Sequence, residues 1–144
     1  MAIDYLYFSL RCWNALNMDI FADYRPKHSL GLSAAQAKAL YAVFLNEGNL
    51  LTFYAAELRL KNASFTSIVS TLESAKLVVC EKDKTDKRAK LLKLTEKGRI
   101  YAEAVGDDLN EYLRDKLSPL SDAEKKTFVD SLSALERLCV KYGL

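Results

Sequence analysis

A mainly α-helical fold carrying one small β-hairpin is what this 144-residue sequence predicts, and three observations predict it. Six stretches read as helices, most of them with apolar residues at helical spacing. Two short apolar runs, residues 77–79 and 91–94, flank a polar tip at 82–90, the pattern of two antiparallel strands joined by a Lys-rich loop. Charge is also concentrated: residues 61–100 hold ten Lys/Arg against five Asp/Glu, a net of +5, while residues 1–60 are neutral and residues 101–144 come to −3. The overall +2 therefore conceals a basic module that can reach along a polyanion.

The first helix is expected over residues 4–25. Ile3, Leu6, Leu10, Trp13, Ile20 and Tyr24 follow a 3-4 spacing broken only by Asn17, and Tyr5, Phe8, Leu16 and Phe21 widen the stripe. Pro26 stops it, because proline disfavours helical geometry in the preceding residue and removes a backbone donor. Two shorter helices follow at 34–46 and 52–59. A fourth, at 62–75, sets Phe65, Ile68, Val69 and Leu72 on one face and Asn62, Ala63, Thr66, Ser67, Ser70, Thr71 and Ser74 on the other. Ser, Thr and Asn cost roughly a few tenths of a kcal/mol per solvent-facing position against Lys, Glu or Gln. What they allow is close approach of the backbone to another surface.

After the hairpin, a long helix at 95–116 carries Ile100, Tyr101, Val105, Leu109, Tyr112 and Leu113. Ser121-Asp122-Ala123-Glu124 is a capping box opening a last helix, along which Phe128, Leu132, Leu135, Cys139 and Tyr142 recur at 4-3-4-3 spacing beside Val129 and Leu138. Three long amphipathic helices outside one small lobe expose more apolar surface than one copy covers. A homodimer is the expected answer, and its two-fold axis would present each surface of the lobe twice.

The helix pair at 34–59, the small-faced helix and the basic hairpin together make a winged helix-turn-helix, with the helix suited to the major groove and the wing to the backbone or minor groove. These residues resemble the MarR family of bacterial winged-helix transcription regulators. Leu32-Ser33-Ala34-Ala35-Gln36 looks like that family's LTxxQ, and Asp86-Lys87-Arg88 followed by Leu94-Thr95-Glu96-Lys97-Gly98 matches its D-x-R and LT-x-x-G wing signature. The motifs cover about half the chain. Ser67 and Thr71 stand where the family commonly holds Arg, Lys76 where it holds Gly, and Cys80 where Arg is frequent.

The chain is thus expected to form one domain. Residues 32–98 would be the DNA-binding lobe, and residues 1–31 and 99–144 the N- and C-terminal dimerisation helices, which the resemblance intertwines across the dimer. On double-stranded DNA, Ser64, Thr66, Ser67, Ser70 and Thr71 are expected to face the major groove. Lys61, Lys84, Lys87 and Lys90 would contact phosphates, and Arg88, oriented by Asp86, would enter or border the minor groove.

Ten of the fifteen aromatics lie in the first 54 residues. Core packing explains most of them. The alternative is an aromatic pocket between dimer helices and lobe, with Trp13, Phe21, Tyr41 and Phe44 as its candidates. The family resemblance implies a small phenolic or lipophilic effector there, releasing a repressor from DNA.

Enzyme signatures are absent: His28 is the sole histidine, Gly numbers five, and no phosphate-cradling glycine motif occurs. Neither cofactor nor metal is expected. No apolar run approaches the ~18–20 residues of a membrane span, and Asp4 stands where a secretion signal would be basic, so a soluble cytoplasmic protein is expected. Three cysteines, Cys12, Cys80 and Cys139, lack paired spacing and fit a reducing compartment. Two other readings remain at this level. The Arg-poor helix would suit an interaction module with weakened operator recognition, and Cys12 would suit a redox sensor, although its mid-helix place favours a packing thiol.

Overall fold

The computed structural model describes residues 21–86 and 88–143. After a 3-10 turn, His28–Leu30, come α1 (Ala34–Leu45), α2 (Leu51–Glu57), α3 (Asn62–Ser74), β1 (Val78–Lys82), β2 (Lys90–Leu94), α4 (Glu96–Lys116) and α5 (Asp122–Tyr142). Side-chain caps set several helix starts. Ser33 Oγ accepts from Gln36 N at 3.2 Å while Ser33 N donates to Gln36 Oε1 at 3.0 Å, which gives the Leu32–Gln36 motif its physical content. Ser121 and Glu124 repeat the arrangement at α5.

The lobe's core joins Leu40 and Val43 of α1, Tyr54 of α2 and Phe65, Val69 and Leu72 of α3 to Leu77, Val78, Leu92 and Ala102. Tyr54 is buried, and its hydroxyl donates to Asn46 O at 2.5 Å and accepts from Asn49 N at 3.2 Å, fastening the loop between α1 and α2. That loop also adds to the sheet: Gly48 N donates to Leu92 O and Leu92 N to Asn49 O, both at 3.0 Å, beside a bridge between Leu50 and Leu91. β1 and β2 pair antiparallel from Val78 opposite Leu94 to Lys82 opposite Lys90. The strands outrun the expected apolar runs because the backbone ladder continues through the exposed Glu81 and Lys82, where side-chain polarity gives no strand signal.

At the turn from α3 into β1, Lys76 adopts φ 59°, and Leu77 N closes back on Leu72 O at 2.9 Å. A side chain in the left-handed region costs about 1–2 kcal/mol, partly offset by the chain entropy that glycine would lose. Lys76→Gly is therefore expected to stabilise the protein by about 0.5–1 kcal/mol, read as a higher urea midpoint. An unchanged or lower midpoint would contradict this account of the turn.

A second cluster holds Tyr24, Ala37, Val105 and Leu109. Asp108, only 7% exposed, accepts from Tyr24 Oη at 2.7 Å and from Lys27 N at 3.1 Å, so the segment before α1 is clasped to the middle of α4. Burial first, and then Asp108, push the Tyr24 hydroxyl well above its ordinary pKa, so it stays a donor. This clasp corrects the expected end of the first helix. Residues 21–23 form a turn and 24–27 are non-helical, because Tyr24 turns inward to Asp108; residues 4–20 of that expected helix lie outside the described residues.

α5 buries no residue fully and exposes Phe128, Val129, Leu132, Leu138, Val140 and Tyr142. Among the described residues, no helix is long and apolar enough to cross a membrane and no group of side chains could hold a metal ion.

Candidate nucleic-acid interface

α3 presents its small face outward because Phe65, Val69 and Leu72 face the core. Ala63, Thr66, Ser67, Ser70, Thr71 and Ser74 line an open groove along it, and Ser64 is exposed near its start. Three of the hydroxyls donate back to the preceding turn: Thr66 to Asn62 O at 2.9 Å, Thr71 to Ser67 O at 3.2 Å and Ser74 to Ser70 O at 2.9 Å. With their protons so engaged, their oxygens offer lone pairs to an approaching donor. Lys61 is the exposed N-cap residue, and its side chain does not cap α3, so it leaves the helix's first backbone N–H groups without a cap.

The wing tip separates its charges. Asp83 Oδ1 accepts from Thr85 N and Thr85 Oγ1, each at 2.7 Å, and these bonds, the hydroxyl's first, hold its carboxyl below the usual range. Asp86 Oδ1 accepts from Arg88 N at 2.9 Å, and Asp83 N and Ala89 O close the tip at 3.0 Å. Both acids are thus spent on the turn's backbone. Lys84, Arg88 and Lys90 are exposed, without an ion pair to any described residue. Lys82 stands directly opposite Lys90, a like-charge pair that disfavours the hairpin and that a bound polyanion would relieve.

Asp86, expected to orient Arg88, meets it through the Arg88 amide. Lys87 lies outside the described residues. Asp83 was missed as a tip-builder, although Asp-Lys-Thr is the spacing of a side chain that closes on the backbone two residues on.

The aromatic candidates are only partly brought together. Phe21 packs on Tyr112 with ring centroids 6.0 Å apart and on Tyr24 at 6.4 Å, while Tyr41 borders the same cluster and stacks on Phe44 at 5.9 Å. Phe44 itself packs against the lobe's core. Trp13 lies outside the described residues; Tyr24 and Tyr112 are the rings that sequence reasoning did not place among the candidates.

Cys80 is half-buried at the wing base, where its N–H donates to Glu73 Oε1 at 3.2 Å. Burial first, and the Glu73 carboxylate next, push its thiol up to about 11. At pH 8 its thiolate fraction is then roughly two orders of magnitude below that of a free cysteine, and it grows as the pH rises. Iodoacetamide is accordingly expected to modify Cys80 far more slowly than free cysteine, as mass spectrometry of the labelled peptide would read; equal rates would contradict the burial. Cys12 lies outside the described residues.

No protein-family profile and no curated protein matches the chain. Solved structures do match it. A probable transcriptional regulator from Pseudomonas aeruginosa is 26% identical, with 92% of this chain and 97% of that one covered, at a TM-score of 0.63. MarR is 17% identical over 90% and 98% of the two chains, at a TM-score of 0.75. BpsR of Bordetella bronchiseptica, described as regulated in its DNA binding by 6-hydroxynicotinic acid, is 22% identical over 92% and 99%, at a TM-score of 0.65. The likeness is one of fold, and it runs along nearly the whole chain.

Proposed function

We propose that this chain, whose structural neighbours are MarR-family transcription regulators and whose winged-helix fold is theirs, is a homodimeric regulator that binds specific duplex DNA sequences. The observation that carries the reading is the separation of charge at the wing tip. Asp83 and Asp86 are turned onto backbone amides, while Lys84, Arg88 and Lys90 are exposed on the hairpin that follows the small-faced α3. The acids' bonds serve the turn, but exposed cations without ion pairs to described residues, and Lys90 set opposite Lys82, do nothing for hairpin stability and suit a phosphate backbone. α3 lies in the major groove with Ser64, Thr66, Ser67, Ser70 and Thr71 toward the bases, and Lys61 and the wing lysines, Lys87 among them, meet phosphates. Regulation is by repression, relieved by a small aromatic or lipophilic effector for which Trp13, Phe21, Tyr41 and Phe44 are the candidate contacts; the ligand-regulated DNA binding of BpsR supports this. The protein binds and does not catalyse.

A gel-shift titration against duplex from the region beside its own gene tests the reading. Expected is a discrete complex that outlasts excess mixed-sequence competitor and weakens steeply with salt; no complex with any duplex would overturn it.

Dimerisation rests on the apolar face of α5, where Phe128 and Leu132 lie exposed in a single copy. Sedimentation is expected to give about twice the 16.2 kDa chain mass at low micromolar concentration, and Leu132→Glu to give a monomer. A native species at the chain mass would exclude the dimer.

A further inference from the structure

Backbone groups alternate in direction along an antiparallel strand. Leu92 turns its N–H and C=O away from β1, toward Asn49 and Gly48. Leu94, two residues on, points its N–H the same way, beyond the point where the loop segment can still pair. The carboxylate of Glu47 fills the place of the missing strand: Oε1 accepts from Leu94 N at 2.9 Å, and Oε2 accepts from Arg99 Nη2 at 2.7 Å in the first turns of α4. One side chain, about a third exposed, thereby joins the loop between α1 and α2, the return strand of the wing and the long helix leading to α5. Glu47 is the only described side chain that accepts from the outer edge of β2. Arg99 holds its carboxyl below the usual range, so it is ionised at neutral pH.

We infer that Glu47 is the positioning residue of the wing: by holding Leu94 and Arg99 with one carboxylate, it sets the angle at which Arg88, Lys84 and Lys90 are presented relative to α3. It touches no DNA and acts through the strand it anchors. The inference rests on the DNA-binding reading for its consequence and on the lobe alone for its geometry, so the two are tested separately.

Amide exchange and binding of a mixed-sequence duplex of about 30 base pairs at low salt are measured on the full chain. Glu47→Ala is expected to speed exchange in β2 by about tenfold, leaving the buried turns of α3 unchanged, and to weaken binding by roughly fivefold to tenfold. Glu47→Gln, which keeps an acceptor for Leu94, restores most of both. In a background with Lys84, Lys87, Arg88 and Lys90 all replaced by Ala, the binding effect of Glu47→Ala falls below about twofold, since a tip stripped of these cations leaves little to position. Unchanged exchange in β2, equal acceleration in α3, or the same loss of binding in that background would each overturn the inference. If the native chain binds no duplex while exchange in β2 responds as stated, Glu47 positions the wing and the DNA-binding reading fails.

Discussion

Gly98→Ala is expected to cost about 3 kcal/mol of folding stability, although alanine is the better helix former by about 1 kcal/mol. A Cβ at residue 98 would stand 1.8 Å from the carbonyl oxygen of Leu77 and 2.8 Å from its carbon. That oxygen cannot turn aside: it accepts from Thr95 N at 3.1 Å and lies 3.3 Å from Thr95 Oγ1. The start of α4 must lift from the junction between α3 and β1, loosening the bond from Thr95 Oγ1 to Lys76 O at 2.7 Å and the cap that Gly98 N makes on Thr95. Gly106→Ala is the control. There the obstruction is the Tyr41 ring, 2.8 Å away, which can swing, so the gain in helix propensity offsets most of the strain. Urea unfolding of the two variants measures the difference; a Gly98→Ala protein within about 1 kcal/mol of the parent would refute the close-approach explanation.

The same junction shows what the sequence made legible. Leu94-Thr95 followed by Gly98 could be read as a motif because each residue has one physical task there: a partly buried strand end, a helix cap, and a helix turn without a side chain. Ser33 with Gln36 and Ser121 with Glu124 were legible for the same reason, since a cap is local and its spacing is fixed. The inward face of α3 was legible from helical spacing. Pairings carried only by backbone were not. The Gly48–Asn49 rung on β2 lies in a polar loop with no strand periodicity, and Glu47 looks in sequence like any solvated acid until the fold sets it opposite Leu94 and Arg99. Tyr24 misled for the opposite reason: it continued the apolar spacing of the first helix, but a buried hydrogen bond to Asp108, 84 positions away, decides its conformation. At the wing, the D-x-R spacing did not show which atoms of Asp86 and Arg88 meet; the contact runs through the Arg88 amide, because an Asp side chain closes more readily on a backbone amide two residues on than on a long, mobile guanidinium.

Arg88→Ala is expected to weaken DNA binding by about 1–3 kcal/mol, the other large effect. Its guanidinium carries no ion pair to a described residue and sits on a tip whose two carboxylates are already occupied, so no internal ion pair has to break before it meets DNA as proposed. Lys84→Ala and Lys90→Ala are expected to act differently, each reducing the salt dependence by about one unit with little change in preferred sequence, as phosphate contacts do. Asp86→Ala should reproduce part of the Arg88 loss, because it releases the Arg88 amide and lets the tip relax, and its effect should shrink when Arg88 is already absent. Thr66→Ala, on the face proposed to meet the bases, should instead change which sequences are preferred. Titrations against matched duplexes at several salt concentrations separate these patterns. Unchanged affinity for every duplex after Arg88→Ala would take the wing out of the mechanism, leaving α3, whose short hydroxyls make no bidentate contact to guanine, to carry recognition that its chemistry does not support alone.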